Sequence, residues 1–114
     1  MSLMALMAGL SFAGVQAAPG ETPTYDQAVR CSGLTQAASE MEGGESVEGR
    51  ALYDAALYWS LTSGQMARGA ARTDAQADAD QTRARIRAVR ELVAHDAAAR
   101  ADLARCRART PHLG

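Results

Sequence analysis

A chain of 114 residues has room for one domain and is short for two, and a domain of that size buries only about two-thirds of its unfolded surface. A formal net charge of −1 argues against a general nucleic-acid binder, which needs a basic face, and the use of Arg for all twelve cationic side chains reads as codon bias. Aromatic residues make up 4% of the chain, so the fold has to gather around very few rings.

The first stretch is uncharged and apolar from Leu3 to Val15 and ends in small residues, with Val15 and Ala17 at the −3 and −1 places of a signal-peptidase site. Residues 1–17 therefore read as a secretory signal outside the fold, cut after Ala17, although the Lys or Arg that customarily opens such a signal is missing. About 16 apolar residues fall short of the ~20 that span a bilayer, which sets a retained membrane anchor second. The expected organisation is a flexible mature N-terminus over 18–23, one helical-bundle domain over 24–110 and a tail over 111–114.

Thr24 followed by Gln27 spells a capping box, with Tyr25 first in the helix and Asp26 favourable beside its positive end. Cys31, Leu34, Ala38 and Met41 step by three, four and three, which turns Cys31 inward, and Gly43 and Gly44 end the segment. A second helix opens between Glu45 and Gly49, with Ser46 the favoured cap, and runs toward Gly69. It holds the only Trp, and its stripe of Leu52, Ala56, Trp59, Ser63, Met66 and Ala70 faces the core. Thr73 with Gln76 repeats the capping-box spacing and starts a third helix whose inward stripe reads Ala75, Ala79, Thr82, Ile86, Val89 and Val93. Its outward residues pair Asp80 with Arg83 and Arg87 with Glu91. The expected core anchors are Trp59, Leu52, Met66, Ile86, Val89 and, further on, Leu103. A weak echo matches Tyr25, Asp26, Ala28 and Ser32 to Tyr53, Asp54, Ala56 and Ser60, and reads as two amphipathic helices sharing a simple pattern.

Whether the third helix continues to Arg109 or turns near His95 depends on the two cysteines. An even cysteine count in an exported chain favours a disulfide, here Cys31 with Cys106. One rod from Thr73 would carry Cys106 roughly 50 Å from its start at 1.5 Å per residue, far from Cys31, whereas bridged Cα atoms lie within about 7 Å. A turn at His95 or Asp96, with Asp96 as cap and an Ala99, Leu103, Cys106 stripe, returns the chain to the level of Cys31. The fold class is accordingly all-α, a small antiparallel up-down four-helix bundle. A disulfide requires four separate helices, and continuous third and fourth helices require free thiols.

Charge is divided along the chain: residues 18–80 carry four Arg against ten acidic groups, and residues 81–114 carry eight against three. Matching of these halves within one bundle is the simpler reading, and an Arg-rich face meeting an acidic partner is the other. No CxxCH haem run, paired zinc spacing, phosphate loop, HExxH or GxSxG turn is present, so no catalytic residue, cofactor or metal site is expected. His95 reads as a helix-terminal residue, His112 as part of the tail, and Asp54 as a solvated carboxylate between rings. The composition and leader resemble those of short Ala- and Arg-rich envelope proteins of high-GC Gram-negative bacteria. This likeness implies a periplasmic or secreted location, with no membrane attachment after cleavage. A non-catalytic binding or accessory protein, of the envelope-stress, inhibitor or immunity type, is the leading reading. Its partner would be another envelope protein, met through Tyr53, Tyr58 or the row Arg83, Arg87, Arg90, and the oligomeric state is left open. The alternative, a small enzyme or a metal- or haem-binding bundle, needs a pocket where His95 or Asp54 meets another polar group.

Overall fold

A computed structural model describes residues 21–112. Residues 1–17, where a signal is expected, the start of the expected flexible segment and the last two residues of the expected tail lie outside the described residues. Four helices follow in order: α1 (Tyr25–Glu42), α2 (Val47–Met66), α3 (Asp74–Val93) and α4 (Ala97–Ala108). No strand accompanies them among the described residues, and none of the helices is long and apolar enough to cross a membrane.

Side-chain caps set each start. Thr24 and Thr73 close reciprocal boxes with Gln27 and Gln76, while Ser46 and Asp96 accept from the backbone N–H groups of Gly49 and Ala99. Each satisfies amides that the first helical turn leaves without partners. The ends are less orthodox. α1 stops at Gly43 with φ +85°, whereas α2 and α3 turn off through Ala71 (φ 58°) and His95 (φ 57°). In both of these turns a six-to-one bond closes the end, from Arg72 N–H to Ala67 O and from Asp96 N–H to Glu91 O. A side chain in that left-handed region costs about 1–2 kcal/mol, so packing beyond each turn overrides local preference. The α2 helix thus loosens before Ala70, which is exposed rather than continuing the inward stripe.

The turn at His95 separates α3 from α4, and Cys31 and Cys106 form a disulfide with Cα atoms 5.4 Å apart. α1 is the central helix, and it sends three successive residues to its three neighbours. Cys31 is bonded to α4, the Ser32 hydroxyl lies 3.0 Å from that of Ser60 on α2, and Gly33 abuts α3. Steps of about 100° per residue make this division natural. A Cβ on Gly33 would lie 2.5 Å from the backbone of Ala84, so only glycine allows the two helices to cross this closely.

That crossing corrects the expected face of α3. Ala77, Ala88 and Leu92 are buried, whereas Ile86 is 42% exposed and Ala75, Thr82 and Val93 also point outward. Much of the helix is rotated by about one residue, or 100°, from the stripe drawn through its largest apolar groups. At backbone contact distance a small face fits and a branched side chain would force the helices apart. Ile86 is therefore not a core anchor. Val89, Met66 and Leu103 are partly buried against the cluster that includes Leu34, Leu52 and Trp59. Met41, at the end of the α1 stripe, is likewise exposed.

Candidate functional site

Three surface features combine side chains capable of binding or chemistry. The first is a hollow of about 550 Å3 lined by Thr24, Tyr25, Val29, Arg72, Asp80 and Arg83, among others. Its groups are bonded to one another. Asp80 accepts from the Tyr25 hydroxyl at 2.8 Å, from Arg72 Nε at 3.0 Å and Nη2 at 2.9 Å, and from Arg83. The hydrogen bond from Arg72, then that from Tyr25, holds the Asp80 carboxyl below the usual range. Burial, and after it the bond to Asp80, pushes the Tyr25 phenol up. A carboxylate this fully engaged stays ionised and makes a poor proton acceptor, so the knot ties the start of α1 to α3.

On the other side of α1, Arg30 donates to Glu91 at 2.6 Å and to Asp102 at 3.2 Å, joining α1, α3 and α4. Burial pushes Glu91 up, but hydrogen bonds from Arg30 and Arg87 outweigh it and leave the carboxyl below its ordinary value. Arg107 likewise lowers Glu48. For carboxylates depressed in the folded state, the stabilisation is complete above the unfolded pKa, about 4, and is lost as pH falls through the lower folded values. The urea midpoint should accordingly hold steady from pH 7 to about 5 and fall below about 4. Replacing both Asp80 and Glu91 by the amides should lower the neutral midpoint and flatten that acid limb, and an unchanged limb would show that neither cluster is linked to folding. Tyr25 contributes with the opposite sign, its stabilisation being lost as pH rises beyond about 10.

The second feature is a cleft of about 220 Å3 where Asp54 lies with Arg107, Thr110 and His112. Asp54 and His112 are both exposed there. His95 lies apart from them, in the exposed turn after α3. Among the described residues, no three His, Cys, Asp or Glu side chains gather as metal ligands.

The third feature is the outer face of α2. Tyr53, Leu57 and Leu61 stand 56%, 45% and 66% exposed at successive intervals of four, which aligns them along one side of the helix. Tyr58 is separated from this line. It is partly buried and meets Trp59 edge-on, with centroids 5.0 Å apart. Within the Arg row, Arg83 is held by Asp80 and Arg87 by Glu91, while Arg90 has no carboxylate partner among the described residues. The cationic half of the chain is thus largely matched from within, with Arg85 on Glu40 and Arg107 on Glu48 adding bridges between distant helices. Pairs this exposed are each worth little, but they leave less free charge for a partner.

Leu57 and Leu61 were not among the residues that the sequence singled out for this surface. They fall between the inward positions of α2 at helical spacing, and two leucines on the polar side of an amphipathic helix are the signal that would have found them. No family model, curated protein or solved structure matches this chain.

Proposed function

We propose that the protein is an exported, non-catalytic accessory protein of the cell envelope, a disulfide-pinned helical bundle that offers the outer face of α2 to a protein partner. The observation that carries this reading is the line Tyr53, Leu57, Leu61, three large side chains left in solvent on a rigid helix while most of the arginines are neutralised internally. An aromatic ring flanked by aliphatic groups on one helix face is the usual anchor of helix-mediated recognition. Export is supported by the leader over residues 1–17 and by a disulfide of the kind that oxidising compartments maintain.

The test uses a photo-crosslinking residue in place of Leu57 in the intact cell, with the same probe at Arg100, exposed on α4, as the comparison. A protein adduct formed from position 57 and absent from position 100, on a chain whose N-terminus is Ala18, is the expected result. No adduct from position 57 would reject the binding role, and a chain retained in the cytoplasm with residues 1–17 attached would reject the export.

A further inference from the structure

We infer that the hollow lined by Tyr25, Arg72, Asp80 and Arg83 is a binding site for a small organic carboxylate, independent of the α2 face. The acceptor capacity of Asp80 is spent. Its Oδ1 accepts from Nη2 of Arg72 and Nη2 of Arg83, and its Oδ2 from the Tyr25 hydroxyl and Arg72 Nε, which fills the roughly four lone-pair directions of a carboxylate. A ligand cation would have to displace one of these donors.

The donors are in the opposite condition. Arg72 gives two of its five N–H groups to Asp80 and Arg83 gives one, and the rest have no partner among the described residues. Two guanidinium groups sharing one carboxylate also leave one positive charge in excess. The Asp80 side chain is 14% exposed against 34% for Arg72 and 67% for Arg83, so the carboxylate is sheltered while the guanidinium groups reach solvent. Unspent donors and a surplus cation suit an acceptor-only anion, which a guanidinium can take through two parallel bonds.

The pair is also held in place before any ligand arrives. The Arg72 backbone is fixed by the bond from its N–H to Ala67 O, directly after Ala71 in its left-handed conformation, and Arg83 lies one turn beyond Asp80 on α3. Donors already tied to Asp80 lose less freedom on binding. Val29 and Ala70 add apolar wall, and a volume of about 550 Å3 is that of a small-molecule pocket. Asp26 lines the same hollow, exposed to solvent, and repels a second negative charge, which favours a monoanion over a phosphate dianion. The ligand class is therefore a monocarboxylate with a short aliphatic body.

Titration of the purified chain with sodium butyrate at constant ionic strength, followed through its backbone amide resonances, tests the site. The expected result is saturable binding with a dissociation constant on the order of 10 mM, with shifts centred on Tyr25, Val29, Ala70 and Arg72. Acetate, lacking the aliphatic body, should bind about threefold more weakly or worse. Arg83→Gln should weaken butyrate about tenfold, and because it exchanges one exposed good helix former for another the fold is retained. Asp26→Asn should strengthen binding about threefold, and Arg100→Gln, on the exposed side of α4, should leave it unchanged. Butyrate that does not saturate by about 200 mM would overturn the inference. So would shifts centred on Tyr53, Leu57 and Leu61, an Arg83→Gln chain that binds as the parent does, or inorganic phosphate that binds more tightly than butyrate.

Discussion

Replacing Cys31 or Cys106 by Ser should lower the unfolding free energy by about 4.5 kcal/mol, the chain-entropy value for a crosslink across a sequence separation of 75 residues. Small domains hold about 5–15 kcal/mol in total, so the variant should lose on the order of 20 °C in Tm and sit near the limit of folding. The loss should also be uneven along the chain. α4 has 12 residues, of which only Ala99 and Cys106 are buried, with Leu103 partly so. Its other ties are polar: Asp102 to Arg30, Arg107 to Glu48, and the bond from the Trp59 indole to Thr110 just beyond the helix. Without the disulfide these have to oppose the full freedom of a short Ala-rich helix, which is marginal in isolation. Hydrogen exchange in the Cys→Ser variant should therefore accelerate first over residues 97–108, with α2, packed along α1, protected longest. A drop below about 1 kcal/mol, or uniform acceleration across all four helices, would show that α4 is held by its side-chain contacts and that the crosslink is incidental.

Helix starts were legible because their chemistry is local. Thr24 with Gln27, Thr73 with Gln76, Ser46 and Asp96 each cap within three residues, and a short spacing in sequence is a short distance in space. The disulfide and the four-helix layout were legible together, since a turn at His95 is what brings Cys106 back to Cys31. The inward face of α3 was not. Hydrophobic periodicity ranks residues by size, but Gly33 and Ala84 meet backbone to backbone, and there the smallest groups are the core. Ala77 and Ala88 carried the packing while Ile86 drew the attention. Ala71 hid the end of α2 for a related reason: the left-handed residue is expected to be glycine, and Gly69 lies only two places from the position used. The helical pairs Asp80 with Arg83 and Arg87 with Glu91 were read from their spacing, but the polar ties to more distant residues escaped. Arg30, Arg72, Gln81 and Thr110 bond to groups from 8 to 72 residues away, and nothing in their immediate sequence marks the partner. The echo between the first two helices gained one concrete element, since Ser32 and Ser60, matched in that pattern, are hydrogen-bonded across the α1–α2 contact.

Trp59→Ala should destabilise the protein by about 3–5 kcal/mol, the range for removing a large aromatic side chain from a packed core. The ring is 1% exposed in a chain whose other buried apolar groups are mostly Ala, and those alanines, fixed on helix backbones, cannot collapse into the space it leaves. Its polar edge adds a second contribution. Nε1 donates to the Thr110 hydroxyl at 2.8 Å, and that hydroxyl donates in turn to the Cys106 carbonyl at 2.7 Å, so the indole, the chain beyond α4 and the disulfide cysteine form one connected unit. Trp59→Phe keeps much of the apolar area and removes this bond, and should cost about 1 kcal/mol more than its lost volume accounts for. The connection makes the effects of indole and disulfide non-additive. In a Cys106→Ser background the end of α4 is already loosened, so Trp59→Phe should lose part of its effect, giving an interaction energy of about 0.5–3 kcal/mol in the double-mutant cycle. Urea unfolding followed by far-ultraviolet circular dichroism, which does not depend on the indole itself, measures all four corners. Effects that add to within about 0.5 kcal/mol would mean that the ring and the crosslink stabilise separate parts of the bundle. A clear shortfall from additivity would place both in a single structural unit, in which a core built around one indole is kept closed by the bond that holds α4 against it.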